Sequence, residues 1–181
     1  MLQKIEGKRS NVNFQTIHNN HIQQRENLVA MTDRFKTKQD VREYVWKEIR
    51  KVAIPPFPVS GRIPNFKDSA KACERIRELE KYKRSKIVFS APDSPLRRAR
   101  EIVLEDNKIL LAVKPRMTGF LILDGSTKDV TIRGMLRNGK EIKENELHKL
   151  NKVDLFVQGC VAVDVNGNRI GTVSYTHLRA H

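Results

Sequence analysis

Aromatic residues are scarce in this chain, at 6% of 181 residues. Scarcity of that kind leaves few flat platforms on which single-stranded bases could stack. There are only two cysteines, Cys73 and Cys160, and both sit within apolar patterns. The two read as buried, reduced thiols of a cytosolic protein rather than as a disulfide framework. No run approaches the roughly 18 apolar residues that a membrane span needs, and no signal-peptide apolar region follows Met1. The reading is therefore no membrane and a cytoplasmic location. Cys/His spacing of the zinc type is missing, as is any Ser/His/Asp arrangement, and His18 and His21 lack a third ligand.

What is abundant is positive charge, 35 Lys and Arg against 21 Asp and Glu, or +14. Residues 31–171 alone hold 30 Lys and Arg against 19 Asp and Glu, so +11 belongs to the body of the chain. A balance of that sign calls for an anionic partner: nucleic acid, a phosphorylated nucleotide, a polyanionic small molecule or a membrane surface.

Residues 1–30 are polar, without a sustained period, and read as a disordered or non-native extension. The body then alternates helical and strand patterns. Thr37 is the expected N-cap of a first helix, with Asp40 three residues on and Val41, Val45, Ile49 and Val52 on one stripe beside Trp46. Pro55-Pro56 stops it. A second helix is expected from Asp68 or Ser69 to about Lys81, burying Ala72, Cys73, Ile76 and Leu79. Strands follow at Ile87–Phe89, Ile109–Val113 and Phe120–Leu123, with a third helix from Ser94-Pro95 to about Glu105. Within 126–146 the pattern offers a weak strand at Val130–Ile132, then a helix near Glu144–Leu150. The long apolar run from Val153 to Asp164 reads as a strand buried on both faces, turning at Asn166-Gly167. Such alternation predicts an α/β fold, a three-layer α/β/α sandwich with a mostly parallel sheet.

Three segments carry a resemblance. Lys38-Gln-Asp-Val-Arg42 opens the first helix, and Gly61-Arg-Ile-Pro-Asn-Phe-Lys67 opens the second unit. Val153-Asp-Leu, Ala162-Val-Asp164 and Gly167-Asn-Arg-Ile-Gly171 close the body. In this order and spacing they resemble the 5-formyltetrahydrofolate cyclo-ligase (methenyltetrahydrofolate synthetase) family, over roughly residues 36–171. The closest likeness is to its divergent branch, whose members carry an Arg-Ile-Pro-Asn-Phe-Lys segment.

The resemblance implies a ligase of one-carbon metabolism. ATP, with Mg²⁺, phosphorylates the formyl oxygen of 5-formyltetrahydrofolate, a ring nitrogen attacks, and 5,10-methenyltetrahydrofolate forms as phosphate leaves. Charge neutralisation in a dry cleft is what such phosphoryl transfer requires. Matched to the family, Lys38, Arg42, Arg169 and Gly171 become nucleotide-binding positions. Asn65 and Phe66 fall on the reduced-folate side, joined by Arg116 at the carboxyl end of a strand. No position is assigned as catalytic. Arg97, Arg98 and Arg100 read either as an anion contact or as a basic solvated face.

Two departures from the family pattern bear on activity. Gly171 is followed by Thr-Val-Ser-Tyr rather than by the Gly-x-Gly-Tyr run that cradles phosphate. Residues 172–181 therefore read as a non-native read-through tail, the cyclo-ligase-like domain as 31–171, and this form as impaired. Beyond Phe66 stands Lys67-Asp-Ser, where the main branch has an acidic residue and a Thr. The alternative reading is a basic RNA-binding module that keeps the fold without the reaction, since some members of the divergent branch join this domain to an RNA-recognition domain.

Overall fold

The computed structural model describes residues 35–115, 118–150 and 152–172. Its contacts divide the chain into two units, Met1–Asp40 and Val41–His181. In the first, Thr37 Oγ1 accepts from the Asp40 N–H at 3.1 Å, and Asp40 Oδ2 accepts from Thr37 N at 2.7 Å. This reciprocal cap satisfies amides that a helix start leaves without partners. It opens helix α1, Lys38–Ile49.

In the second unit the continuation of α1 buries Arg42 and Trp46. Trp46 packs with Val59 and Val161, and its indole N–H donates to the Arg62 carbonyl at 3.0 Å. Val52 lies beyond the helix and is exposed, so the expected stripe ends at Ile49. The second helix departs from expectation. It is broken into α2 (Ser69–Glu74), a 3₁₀ turn (Arg75–Glu78) and α3 (Glu80–Arg84). Leu79 adopts an extended conformation between them and is 53% exposed. Helical spacing put Leu79 on the buried stripe, yet its backbone turns out of the helix one residue too early.

Strand β1 (Ile87–Ser90) leads through a 3₁₀ turn (Ser94–Leu96) to helix α4 (Arg97–Glu105). Strands β2 (Ile109–Val113) and β3 (Phe120–Leu123) follow. Residues 126–146 differ from the reading. Thr131 caps a short helix α5 (Ile132–Asn138), its hydroxyl accepting from Gly134 N at 3.1 Å, in place of the expected strand. Strand β4 (Lys140–Ile142) and a 3₁₀ segment (Glu144–Lys149) complete the stretch. The last elements are β5 (Leu155–Val157) and a hairpin of β6 (Ala162–Val163) with β7 (Arg169–Ile170).

The sheet order is β4-β3-β2-β1-β5. β1 runs parallel to β2 and β5, whereas β3 is antiparallel to both β2 and β4. The fold is α/β, but the sheet is mixed rather than mostly parallel. The physical reason lies in the β2–β3 connection, Lys114–Gly119, which is too short for the crossover that a parallel pair requires. One sheet face, with Val88, Leu110, Ala112 and Leu121, packs on Ile102 and Val103 of α4 and Met135 of α5. On the opposite face Phe89, Leu111 and Ile142 meet Leu147, Leu150 and Val153. Among the described residues that face is covered by a 3₁₀ segment and loops. The run from Val153 to Asp164 is a correction too: β5 is a short edge strand, and Phe156 stays 61% exposed although its ring lies 5.3 Å from that of Phe89.

An ionic lattice ties α2 and its following turn to α4. Arg77 grips Asp106 through two nitrogens, Nη2 at 2.8 Å and Nε at 3.1 Å, and Tyr82 donates its hydroxyl to the same carboxylate at 2.8 Å. Arg77, foremost, holds the Asp106 carboxyl below its ordinary range, with Tyr82 adding to the effect. A carboxylate lowered on folding contributes stability above its unfolded pKa of about 3.9 and loses it as pH falls through the folded value. Asp106→Asn should therefore destabilise at neutral pH, and its deficit should shrink below about pH 4. Urea denaturation across pH checks this; a deficit independent of pH would count against it.

Candidate functional site

The carboxyl ends of β1 and β5 lie side by side, and the chain beyond each turns away to frame a cavity of about 620 Å³. Its walls come from five segments: Val45 and Ile49 of α1, the loop bearing Ile63, Pro64 and Phe66, the α2 region through Leu79, Pro95 to Ala99 at the start of α4, and the stretch from Leu155 to Val161. The volume lies within the range of pockets that enclose drug-sized ligands, and the mainly apolar wall suits a flat aromatic one. Both cysteines face it. Cys73 donates its thiol to the Pro95 carbonyl at 3.2 Å, and burial pushes its pKa up, so it stays a thiol; both cysteines are free and half-buried.

Behind the wall lies a buried ionic arrangement. Arg100 of α4 is 2% exposed, and its guanidinium donates to the carbonyls of Ala91 at 2.8 Å, Asp93 at 3.0 Å and Val130 at 3.3 Å. Burial lowers its pKa to about 10, with the nearby Asp93 charge opposing, so it remains protonated at neutral pH. Burial conversely pushes the Asp93 carboxyl up, against the pull of the Gly159 amide and Arg100. Gly159 is needed here: a Cβ would lie 2.7 Å from Asp93 Oδ2 and 2.7 Å from Ile63 Cγ2.

The other α4 cations are used internally. Arg98 pairs with Glu74 at 2.6 Å and Glu105 at 2.5 Å, and Arg97 with Glu101 at 3.1 Å. Arg98 and Arg100 thus form no basic solvated face.

Arg42, three residues before the cavity-lining Val45 on α1, donates Nε to the Gly171 carbonyl at 2.7 Å. Val161, in the cavity wall, donates its amide to Ile170 at 2.8 Å. Helix α1 and the β6–β7 hairpin are therefore joined through residues next to the cavity wall.

The signature of the 5-formyltetrahydrofolate cyclo-ligase family matches residues 34–173. The chain belongs to that family. Among its relatives is the human methenyltetrahydrofolate synthase domain-containing protein, 39% identical over 147 residues, covering 75% of this chain and 38% of the human one. The zebrafish (Danio rerio) protein of the same name is 38% identical over 154 residues, covering 79% of this chain and 40% of its own. The cattle (Bos taurus) protein is 37% identical over 144 residues, again 75% and 38%. The chain thus spans about two-fifths of the length of the curated relatives it matches. No solved structure gives a significant match.

The cyclo-ligase positions named from sequence are placed as follows. Phe66 lines the cavity. Asn65 instead binds its own loop: its Nδ2 donates to Pro55 O at 3.0 Å, and its Oδ1 accepts from Phe66 N and Ser69 Oγ. Arg42 and Gly171 are brought into contact, and Arg169 lies exposed in β7, opposite Val163. Lys38 opens α1 within the amino-terminal unit. Arg116 lies outside the described residues. Sequence reasoning missed Asp93, Arg100 and Gly159. A signal for Arg100 existed, since it falls one turn after Leu96 and beside Ala99 and Val103 on the inward stripe.

Proposed function

We propose that the cavity binds a reduced folate and that the domain performs the family reaction, ATP-dependent closure of 5-formyltetrahydrofolate to 5,10-methenyltetrahydrofolate. The observation that carries this reading is the apolar space of about 620 Å³, whose lining residues Val45 and Val161 lie on the helix and beside the hairpin that the Arg42–Gly171 hydrogen bond joins. In this scheme the formyl oxygen attacks the γ-phosphorus, ADP departs, N10 attacks the activated carbon and loses its proton, and inorganic phosphate leaves. Phe66 and the flanking apolar wall hold the ring system and exclude water, which strengthens every charge interaction there.

Lys38, Arg42, Arg169 and Gly171 are the proposed nucleotide side, and Asn65, Phe66 and Arg116 the folate side. Arg42 serves there by fixing the Gly171 carbonyl, and with it the backbone next to the phosphates. Asn65 acts by holding Phe66 and Ser69 in register. Among the described residues no group of three or more His, Cys, Asp or Glu could hold a metal ion, and in this proposal Mg²⁺ arrives with the nucleotide phosphates. Bound that way, it would neutralise charge on the transferring phosphoryl group. The three-layer α/β/α order is kept in this proposal for the family domain. No helix among the described residues is long and apolar enough to cross a membrane.

The test is calorimetric titration of the chain with 5-formyltetrahydrofolate, then absorbance of the methenyl product with ATP and Mg²⁺. Saturable folate binding is expected, weakened about tenfold or more by Phe66→Ala, which removes a large apolar contact. Absence of folate binding, together with tight and salt-sensitive RNA binding, would replace this reading with the nucleic-acid module.

A further inference from the structure

The chain has one tryptophan, Trp46, and it stands behind the cavity wall rather than in it. It is 6% exposed and clusters with Val59 and Val161, against which Val45, Ile49 and Ile63 pack. Val45, Ile49, Ile63 and Val161 also line the cavity itself. They come from three separate stretches of chain: α1, the loop before α2, and the link between β5 and β6. The indole cluster thus backs three of the five wall segments.

One of those three is weakly held. Ala53 and Phe66 form an isolated antiparallel bridge, flanked by hydrogen bonds from Ile54 N to Asn65 O at 3.1 Å and from Lys67 N to Val52 O at 2.8 Å. That pairing closes the base of a loop, residues 54–65, which carries the wall residues Ile63 and Pro64 and leads into Phe66. Residues 54–58 are exposed, Phe57 at 59%, so the outer part of the loop buries little. Beyond its base the loop is held by the buried Val59 and by a surface hydrogen bond from Arg50 Nη2 to Ser60 Oγ at 2.8 Å. The Trp46 indole N–H adds a third tie, to the Arg62 carbonyl at 3.0 Å, on the residue that precedes Ile63. Segments with few buried contacts open locally at small cost. The tie nearest the wall residues therefore bears most directly on the shape of the cavity.

We propose that Trp46 is a positioning residue for the ligand: its N–H, acting through the Arg62 carbonyl, holds Ile63, Pro64 and Phe66 where the bound folate needs them. The inference rests on the folate reading of the cavity. An indole nitrogen donates one bond and accepts none, so this contact fixes a single direction. The ring is committed on its other side to Val161, which leaves the donor little freedom to follow a loop that moves away. Loosening the loop should act mainly on ligand release, the step through which most affinity changes at one site are expressed. A tryptophan that served the core alone would alter stability and leave the affinity of the folded protein unchanged.

Titration calorimetry with 5-formyltetrahydrofolate on the wild type, Trp46→Phe, Val59→Ala and Tyr82→Phe tests the idea. Trp46→Phe keeps an aromatic ring and loses the N–H, and Val59→Ala loosens the same loop from its own side. Tyr82→Phe removes a hydroxyl that donates to Asp106 at 2.8 Å, on a residue outside the cavity wall, and controls for lost stability. Expected in Trp46→Phe is affinity weakened about three- to tenfold, the scale of one hydrogen bond, through faster release. Val59→Ala should show a similar loss and Tyr82→Phe none. Amide exchange should rise in residues 54–66 of both loop variants and stay unchanged in the sheet. Should Trp46→Phe fail to fold, Val59→Ala decides alone. Wild-type affinity in the folded loop variants, an equal loss in Tyr82→Phe, or unchanged exchange in the loop overturns the proposal while leaving the folate cavity standing. If the wild type does not bind the compound, the folate reading itself fails, and this inference with it.

Discussion

Arg100→Met should cost about 3–5 kcal/mol of folding stability, the scale of removing one member of a buried charged arrangement. The substitution keeps much of the side-chain volume, so packing loss is not the main cause. The Val130 carbonyl would lose its donor, while those of Ala91 and Asp93 would keep only the Ser90 hydroxyl at 3.3 Å and the Leu96 amide at 3.1 Å. Each stranded acceptor carries a penalty of about 1–3 kcal/mol when no water replaces the bond. The Asp93 carboxylate, already made costly by burial, would in addition lose its nearby positive charge. Arg100→Lys should recover only part of the loss, because an ammonium cannot span carbonyls on two separate loops. Urea unfolding monitored by circular dichroism measures both variants. A loss below about 1 kcal/mol for Arg100→Met would show that solvent reaches those carbonyls and that the arrangement is dispensable.

Gly159→Ala should weaken folate binding about tenfold, or roughly 1.4 kcal/mol, with a stability loss of about 1–3 kcal/mol from overpacking. The added methyl would meet Asp93 Oδ2 and Ile63 Cγ2, both at 2.7 Å. Neither neighbour is backbone, so both can give way, and the direction in which they move decides the outcome. Ile63 would be pushed from its place in the cavity wall, and Asp93 away from the Gly159 amide that favours its charge. Calorimetry with 5-formyltetrahydrofolate, paired with a denaturation curve, separates the two effects. Unchanged affinity would mean that this part of the wall does not touch the ligand.

How much was legible in the sequence depended on whether one environment governed a whole segment. β1, β2, β3 and α4 were read nearly to the residue, because the three strands are continuous apolar runs buried on both sheet faces and α4 has one regular apolar face. The run from Val153 to Asp164 misled because it serves three environments in succession: an edge strand, a cavity wall and a hairpin. All three favour apolar residues, and periodicity alone does not separate them. Helix α5 escaped because it is short and contains Gly134, although Thr131 held the N-cap signal. At Leu79 a helical stripe continued past the real end of its helix, since Leu79 meets the cavity rather than the core. For the site, Phe66 was reachable through the family resemblance. Asp93 and Gly159 were not, because their pairing depends on β5 lying against β1, a contact between residues about 66 positions apart that no local pattern encodes.

That separation also bears on the order in which the sheet can assemble. β2 and β3 pair across a short hairpin, while β5 must return to β1 from the far side of the meander. Closing the longer loop carries the greater entropy cost and slows its formation. The cavity-bearing edge is thus the late-forming and early-opening part of the sheet, and an occupant that bridges β5, α1 and α4 would act as a clasp on it.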